Sequence, residues 1–284
     1  MKKILKIALW SLLGLVLLAG GALGLFIYKV KYGFPVSYET DTPSIEFPTD
    51  KPAVLLFSKT TGFRHEASIA ASKPIFQQLA EQNGWFLYET EEGGVFNEAQ
   101  LAKFNTVIFN NSTGEVLNDD QKRALEQYVE KGGGLIGIHG AGDDSHHWEW
   151  YQRHLTGVLF SHHPIKQQFQ KATVLLDIPP DSLFNTLTKK WEHTDEWYVF
   201  FENPRSKGFN IVYTIDGEAI NPDGNILFVK SKNFGMGKDH PVAWYKPTGL
   251  GKTFYTSIGH DDTAWQNENF LKLIESAIRW TQSH

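Results

Sequence analysis

The pattern of apolar and polar positions divides the chain into three stretches. From Ile7 to Tyr28, 22 consecutive residues are uncharged and mostly apolar. A helix rises 1.5 Å per residue, so roughly 20 such residues cross a bilayer core. Lys2, Lys3 and Lys6 precede the run and favour a cytoplasmic amino terminus, while Lys29 and Lys31 after it weaken the asymmetry. The run exceeds the ~7–15 apolar residues of a signal peptide's core, although Gly20-Gly21-Ala22 would permit cleavage. Residues 1–31 are therefore expected to form one transmembrane helix, a membrane anchor with the bulk of the chain outside the cytoplasm (periplasmic or at the cell surface), or else a cleaved signal peptide. Residues 32–50 hold three prolines and no apolar period, and read as an extended linker.

Residues 51–284 read as one globular domain. Its first half alternates short apolar runs with helical patterns. Pro52–Ser58, Trp85–Glu89, Thr106–Asn110 and Leu135–Ile138 have the length and composition of buried strands. Between them, helices are expected over 67–83, closed by Gly84, over 97–104, and from a cap at Asn118 to Lys131. Strands alternating with helices predict a parallel sheet covered on both faces. These lengths suit a flavodoxin-like, doubly wound, mostly parallel sheet. The second half adds further strands near 171–177, 191–201 and 210–215. A pair at 239–244 and 252–258 turns at Pro247-Thr248-Gly249. Trp148–Thr156 reads as a helix, Ser161–Pro164 as a turn, and Asn267–Trp280 as a closing helix with Phe270, Leu273, Ile274 and Ala277 on one face.

Charge and composition narrow the function classes. Five of the 27 basic residues lie in the first 31 positions, which hold no acid. The remainder carries 22 Lys and Arg against 32 Asp and Glu, a charge of −10. Such a surface repels phosphate backbones, so no nucleic-acid partner is expected. The chain has no Cys, which excludes disulfides, thiolate metal ligands and a Cys nucleophile.

One stretch concentrates candidate chemistry: KGGGLIGIHGAGDDSHHWEW, from Lys131 to Trp150. The apolar run Leu135–Ile138 ends on His139, with Gly137, Gly140, Ala141 and Gly142 around it. Small residues there permit a sharp strand-to-helix turn that lifts one side chain into the open, the geometry that displays a nucleophile in the Gly-x-nucleophile-x-Gly elbow. Here the elbow residue is His139. The blander reading is a tight turn with a structural His.

Seven segments together carry a family resemblance: FSKTTGFRHEASI (57–69), NNSTGEVL (110–117), GGGLIGIHGAGD (132–143), WEWYQRHLTGVLFSHHPI (148–165), HTDEWYVFFENPR (193–205), DHPVAW (239–244) and TSIGHD (256–261). In order and spacing they resemble the ThuA-like domain, named for a trehalose-utilisation protein, across nearly all of 52–284. The resemblance implies a fold similar to class I glutamine amidotransferases and a link to sugar catabolism. In those amidotransferases the elbow residue is Cys. His139 in its place rules out their thiolate chemistry.

The polar residues at expected strand ends are Arg64 and His65, Asn111 and Thr113, His139 with Asp143 and Asp144, His162 and His163, His193 with Asp195 and Glu196, His240, and His260 with Asp261. Strand ends of an open sheet converge on one crevice. His139, Asp195 and Glu196 are the catalytic candidates, because an imidazole titrates near neutrality and a carboxylate can orient it. His139, His163, Glu196 and His260 are candidate ligands for a divalent metal (Zn, Ni, Mn or Fe), though no spacing matches a known ligand motif. Arg64, His65, Asn111, Asp143, Trp150, Trp197 and Arg205 are candidate substrate contacts. Flat aromatic faces beside polar groups suit a small-molecule carbohydrate. Plainer readings stand beside these: core tryptophans, histidines that organise turns, a buried His–carboxylate pair, and a surface ion pair for Arg205. Two functions follow. One is an enzyme (hydrolase, lyase or isomerase) on a carbohydrate or keto-sugar. The other is a non-catalytic carbohydrate-binding or sensing module. Many titratable groups at one point would favour the enzyme.

Overall fold

The computed structural model describes residues 2–32, 37–146, 148–177, 184, 186–225, 230–231 and 236–283. His147, among the polar residues after the elbow, lies outside them. Helix α1 (Lys2–Tyr32) carries an exposed apolar surface from Ile4 to Tyr28 and is long enough to cross a membrane.

The body is an α/β fold on one mixed sheet. Its strands are β1 (Ala53–Phe57), β2 (Phe86–Thr90), β3 (Thr106–Asn110), β4 (Gly134–Ile138), β6 (Gln170–Leu176), β7 (Lys190–Asp195), β9 (Asn210–Asp216), β10 (Asp239–Thr248) and β11 (Gly251–Thr256), with β5 (Phe160–His162) and β8 (Val199–Phe200) forming a separate pair. The order across the sheet is β2-β1-β3-β4-β11-β10-β9-β6-β7. The neighbours from β2 to β11 are parallel, and those from β11 to β7 are antiparallel. The sheet is thus mixed, not mostly parallel as expected. Tight turns such as Thr248–Gly251, with Gly249 at φ 60°, permit only antiparallel neighbours.

Every residue of β1, β3 and β4 is buried, as a sheet covered on both faces requires. Val54 and Leu56 pack with α2 (Glu66–Asn83) and α6 (Glu268–Gln282) through Phe76, Leu79, Phe270 and Ile274. Leu55 and Phe57 face the other way, onto Leu101 of α3 (Glu98–Leu101), Leu125 of α4 (Asp119–Glu130), and Tyr151 and Leu155. Asn118 caps α4 reciprocally with Gln121. The expected helix at 148–156 is α5 (Glu149–Tyr151) followed by a π-helical turn, Gln152–Thr156.

Two further expectations are corrected. The strand expected through 191–201 stops at Asp195, and Val199–Phe200 leaves the main sheet to pair with Phe160–His162, which takes in the first half of the turn expected at Ser161–Pro164. The linker is not free along its length. From residue 37 it lies on the body as a strap. Gln121 Nε2 donates to the Glu39 carbonyl at 2.6 Å and Gln100 Nε2 to the Pro43 carbonyl at 3.0 Å. Phe47 packs edge-on against Phe86 and Phe104 at 5.5 and 5.0 Å between ring centres. Aperiodic sequence hid these anchors, because a strap fixes itself by single side chains and not by a repeating face.

The parallel strands β1, β3, β4 and β11 end at one edge. Four successive antiparallel pairings restore that direction at β7, so Asp195 and Glu196 end there too. A cavity of about 390 Å³ lies at the opposite edge, among Leu101, Phe104, Tyr128 and Thr281. Its lining gathers no comparable set of titratable groups.

Candidate functional site

His139 follows the last residue of β4 in the left-handed region, at φ 43°, the sharp turn that the small residues suggested. The exposure expected of an elbow side chain is not found: His139 is completely buried. The small residues make room for neighbours instead. A Cβ on Gly140 would sit 2.9 Å from Thr113 Cγ2 and 3.0 Å from His65 Nδ1, and one on Gly142 would sit 2.3 Å from the Tyr255 hydroxyl.

The His139 ring is held by hydrogen bonds. One links Nδ1 to the Ser257 carbonyl at 2.7 Å, so Nδ1 carries the proton and Nε2 presents a lone pair. That Nε2 lies 3.1 Å from His260 Nδ1 and 3.5 Å from Glu196 Oε2. His260 Nδ1 lies 2.9 Å from the same Oε2. The other carboxylate oxygen, Oε1, accepts from Gln168 Nε2 at 2.7 Å and lies 2.9 Å from His163 Nδ1. His65 stands edge-on to His139 and His260, each at 4.8 Å between ring centres. Its Nδ1 is buried without a hydrogen-bond partner. His65, His139, Glu196 and His260 each bring one donor atom within 4.8 Å of the others. Tyr198 closes the floor, 4.1 Å from the His139 ring.

The electrostatics follow from these contacts. Burial opposes the charge on Glu196, but the surrounding imidazoles of His139, His163 and His260 outweigh it and hold the carboxyl far below its usual range. Burial pushes His163 down, yet the bond to and charge of Glu196 win and raise it. His65 is driven well below the ordinary imidazole value by burial, then by His139 and His260. The cluster reaches solvent through His163, whose side chain is 35% exposed. Two exposed rings flank it: Phe63 packs edge-on to His65 and Phe169 edge-on to His260. Beyond Phe169 a cleft of about 470 Å³ runs along Lys171, Glu192, His193 and Asp261.

Residues 53–281 match the family named ThuA and described as trehalose utilisation. The chain belongs to that family. No curated protein sequence matches it. Among solved structures it is similar to a protein of Bacteroides uniformis described as ThuA-like, with 22% identity, TM-score 0.65 and coverage of 88% of this chain and 95% of that one. A ThuA-like protein of Parabacteroides merdae gives 18%, 0.60, 82% and 91%. An alpha-L-fucosidase isoenzyme of Paenibacillus thiaminolyticus gives 9% and 0.52, with 82% of this chain covering 33% of that one. At these identities the likeness is one of fold.

Within this ThuA-family fold, the sequence candidates separate by what they touch. His65, His139, His163, Glu196 and His260 come together. His65, expected as a substrate contact, joins the group of four donors, while His163, expected as a ligand, binds the far oxygen of Glu196. Asp195 is beside them but fully engaged. Oδ1 accepts from the backbone N–H groups of Glu196 and His260, and Oδ2 from Gly259 N–H, with His193 Nε2 at 3.2 Å. These bonds fix the loops that carry Glu196 and His260. Asn111, at φ 56°, spends its amide on Ser68 and Gly140, stitching three loops. Asp143 lies within electrostatic reach of His163 and Glu196, and burial pushes its carboxyl up to about 7.

Four expected substrate contacts lie elsewhere. Arg64 is paired with Glu91 and Glu66. Arg205 is an outer ion pair with Asp239 and Asp177. Trp197 is core, its Nε1 donating to the Gln170 carbonyl at 2.7 Å. Trp150 has Trp148 and His154 as ring neighbours. His240 proves a turn organiser: its Nε2 donates to the Tyr198 carbonyl, and burial lowers it to about 4. Sequence reasoning missed Gln168, Phe169 and Phe63. Only Phe63 carried a signal, its place in the loop after β1.

Proposed function

We propose that this protein is an enzyme acting on a carbohydrate or keto-sugar by acid–base chemistry at the His–Glu cluster, as a membrane-anchored ThuA-family member outside the cytoplasm. The carrying observation is the clustering itself: four imidazoles and one carboxylate at a single opening on the carboxyl edge. A binding module needs aromatic faces and neutral donors, not this concentration of titratable groups, whose burial is costly unless they are used or paired.

In this reading Phe63 and Phe169 receive the apolar face of a sugar ring, and the cleft beyond Phe169 offers hydroxyl partners. His163, the exposed imidazole, is raised above its ordinary value because Glu196 stabilises its charged form. It delivers its proton to a carbonyl or departing oxygen of the substrate, the step common to elimination, isomerisation and hydrolysis. Gln168 fixes the Glu196 oxygen that His163 uses. The family description supports a sugar as substrate. The exposed apolar α1 supports the anchor.

The test is a panel of aldoses, disaccharides and keto-sugars incubated with the full chain in detergent and followed by NMR. Consumption of one class, lost in His163→Gln, is expected. Binding without consumption would favour the sensing module.

A further inference from the structure

Acid–base work by His163 leaves three imidazoles unexplained. His65 is nine-tenths buried with Nδ1 unpartnered, an arrangement that is costly unless something else uses the ring. His139 Nε2 offers a lone pair because Nδ1 is committed to the Ser257 carbonyl. His260 Nδ1 approaches both that lone pair and Glu196 Oε2, so one proton must serve two acceptors. Remove that proton and three lone pairs converge on one point.

We infer that His65, His139, Glu196 and His260 hold a divalent first-row transition-metal ion. At metal–ligand lengths of about 2.1 Å, adjacent donors stand about 3.0 to 3.4 Å apart in octahedral or tetrahedral coordination. The spacings among His139, Glu196 and His260 are 2.9, 3.1 and 3.5 Å. His65 adds the fourth donor within 4.8 Å. Three imidazole nitrogens and one carboxylate suit zinc, cobalt, nickel, iron or manganese better than calcium or magnesium, which prefer oxygen.

The surroundings have the form of a ligand-orienting shell. The Ser257 carbonyl fixes the tautomer of His139. Asp195 holds the Gly259–His260 backbone. Gln168 and His163 take the far oxygen of Glu196. Gly140, lacking a Cβ, lets His65 close in. The loops after β1, β4, β7 and β11 thus each supply one donor. This inference is independent of the sugar reading, since it concerns binding of an ion and not turnover.

The experiment uses the full chain in detergent, stripped with a chelator, desalted, and titrated separately with Zn(II) and Co(II). Retained ion is measured by elemental analysis, and Co(II) also by its visible absorption. About one ion per chain is expected, with a rise in Tm on loading. Glu196→Gln should abolish stoichiometric retention. Because that substitution alters a buried network, His65→Asn is the second variant. It removes the ring with the unpartnered nitrogen, should stay folded by circular dichroism, and should weaken Co(II) binding at least about tenfold. A stripped wild-type chain that takes up neither ion, or a folded His65→Asn that binds Co(II) as wild type does, would overturn the site.

Discussion

His139 Nε2 and His260 Nδ1 lie 3.1 Å apart, although 121 residues separate them in sequence. They meet because β4 and β11 are parallel neighbours that end at the same edge. Glu196, from the far side of the sheet, closes the triangle. The triangle depends on the Glu196 carboxylate as its acceptor.

That dependence gives a first expectation. In metal-free protein, Glu196→Ala leaves His163 and His260 without their shared acceptor. Breaking a buried charge network by removing one partner costs roughly 3–5 kcal/mol. Urea unfolding near pH 7 should show a loss of that order, and a loss below about 1 kcal/mol would mean that the network is not closed in solution.

Asp143 provides a test with a defined sign. Its folded pKa of about 7 lies above the unfolded value of 3.8. The group therefore favours the folded state below pH 3.8, and that contribution is lost as pH rises through 7. Asn at this position is neutral throughout. Asp143→Asn should be more stable than wild type at pH 8, by about 2 kcal/mol after discounting for partial solvent access, and equal to it at pH 4. Equal stabilities at pH 8 would mean that the carboxylate is ionised without cost.

The strap makes a prediction about where the folded body begins. Phe47 sits against Phe86 and Phe104, and Gln100 and Gln121 bind strap carbonyls. Phe47→Ala should destabilise the body by about 2 kcal/mol, less than for a fully buried Phe because the ring is only partly covered. A chain starting at residue 37 should accordingly unfold at a higher urea concentration than one starting at residue 50. Identical midpoints would return residues 37–49 to the status of a free linker.

The parallel half of the fold was legible because each of its strands is a short apolar run bounded by a capped helix, and local pattern decides both. In the antiparallel half the β10–β11 hairpin was legible from its Pro-Thr-Gly turn, but the rest was not, because the runs along β6, β7 and β9 mark strands without saying which lie side by side. β5 and β8, with three and two residues, are too short to carry a period. In the site, the histidines were legible by their positions at strand ends. Partners were not: Arg64, Arg205, Trp197 and Asp195 have the right side chains for a ligand, but each spends them on protein groups that only the folded chain brings close. Phe169 and Gln168 lie in a segment without pattern, and nothing local marks them.

The most direct test of the proposed function is the pH profile of sugar turnover in wild type, Glu196→Gln and His163→Gln, on whichever class the NMR panel identifies. His163 is raised by Glu196, so its active, protonated form persists to higher pH than in an unpaired imidazole and is lost as pH rises through its folded pKa. The wild-type rate should fall on the alkaline side. Glu196→Gln should lower the rate at least about 10²-fold and move that limb to lower pH, and His163→Gln should remove the limb. Turnover in Glu196→Gln at the wild-type rate with the same alkaline limb would show that the cluster is not where the chemistry occurs.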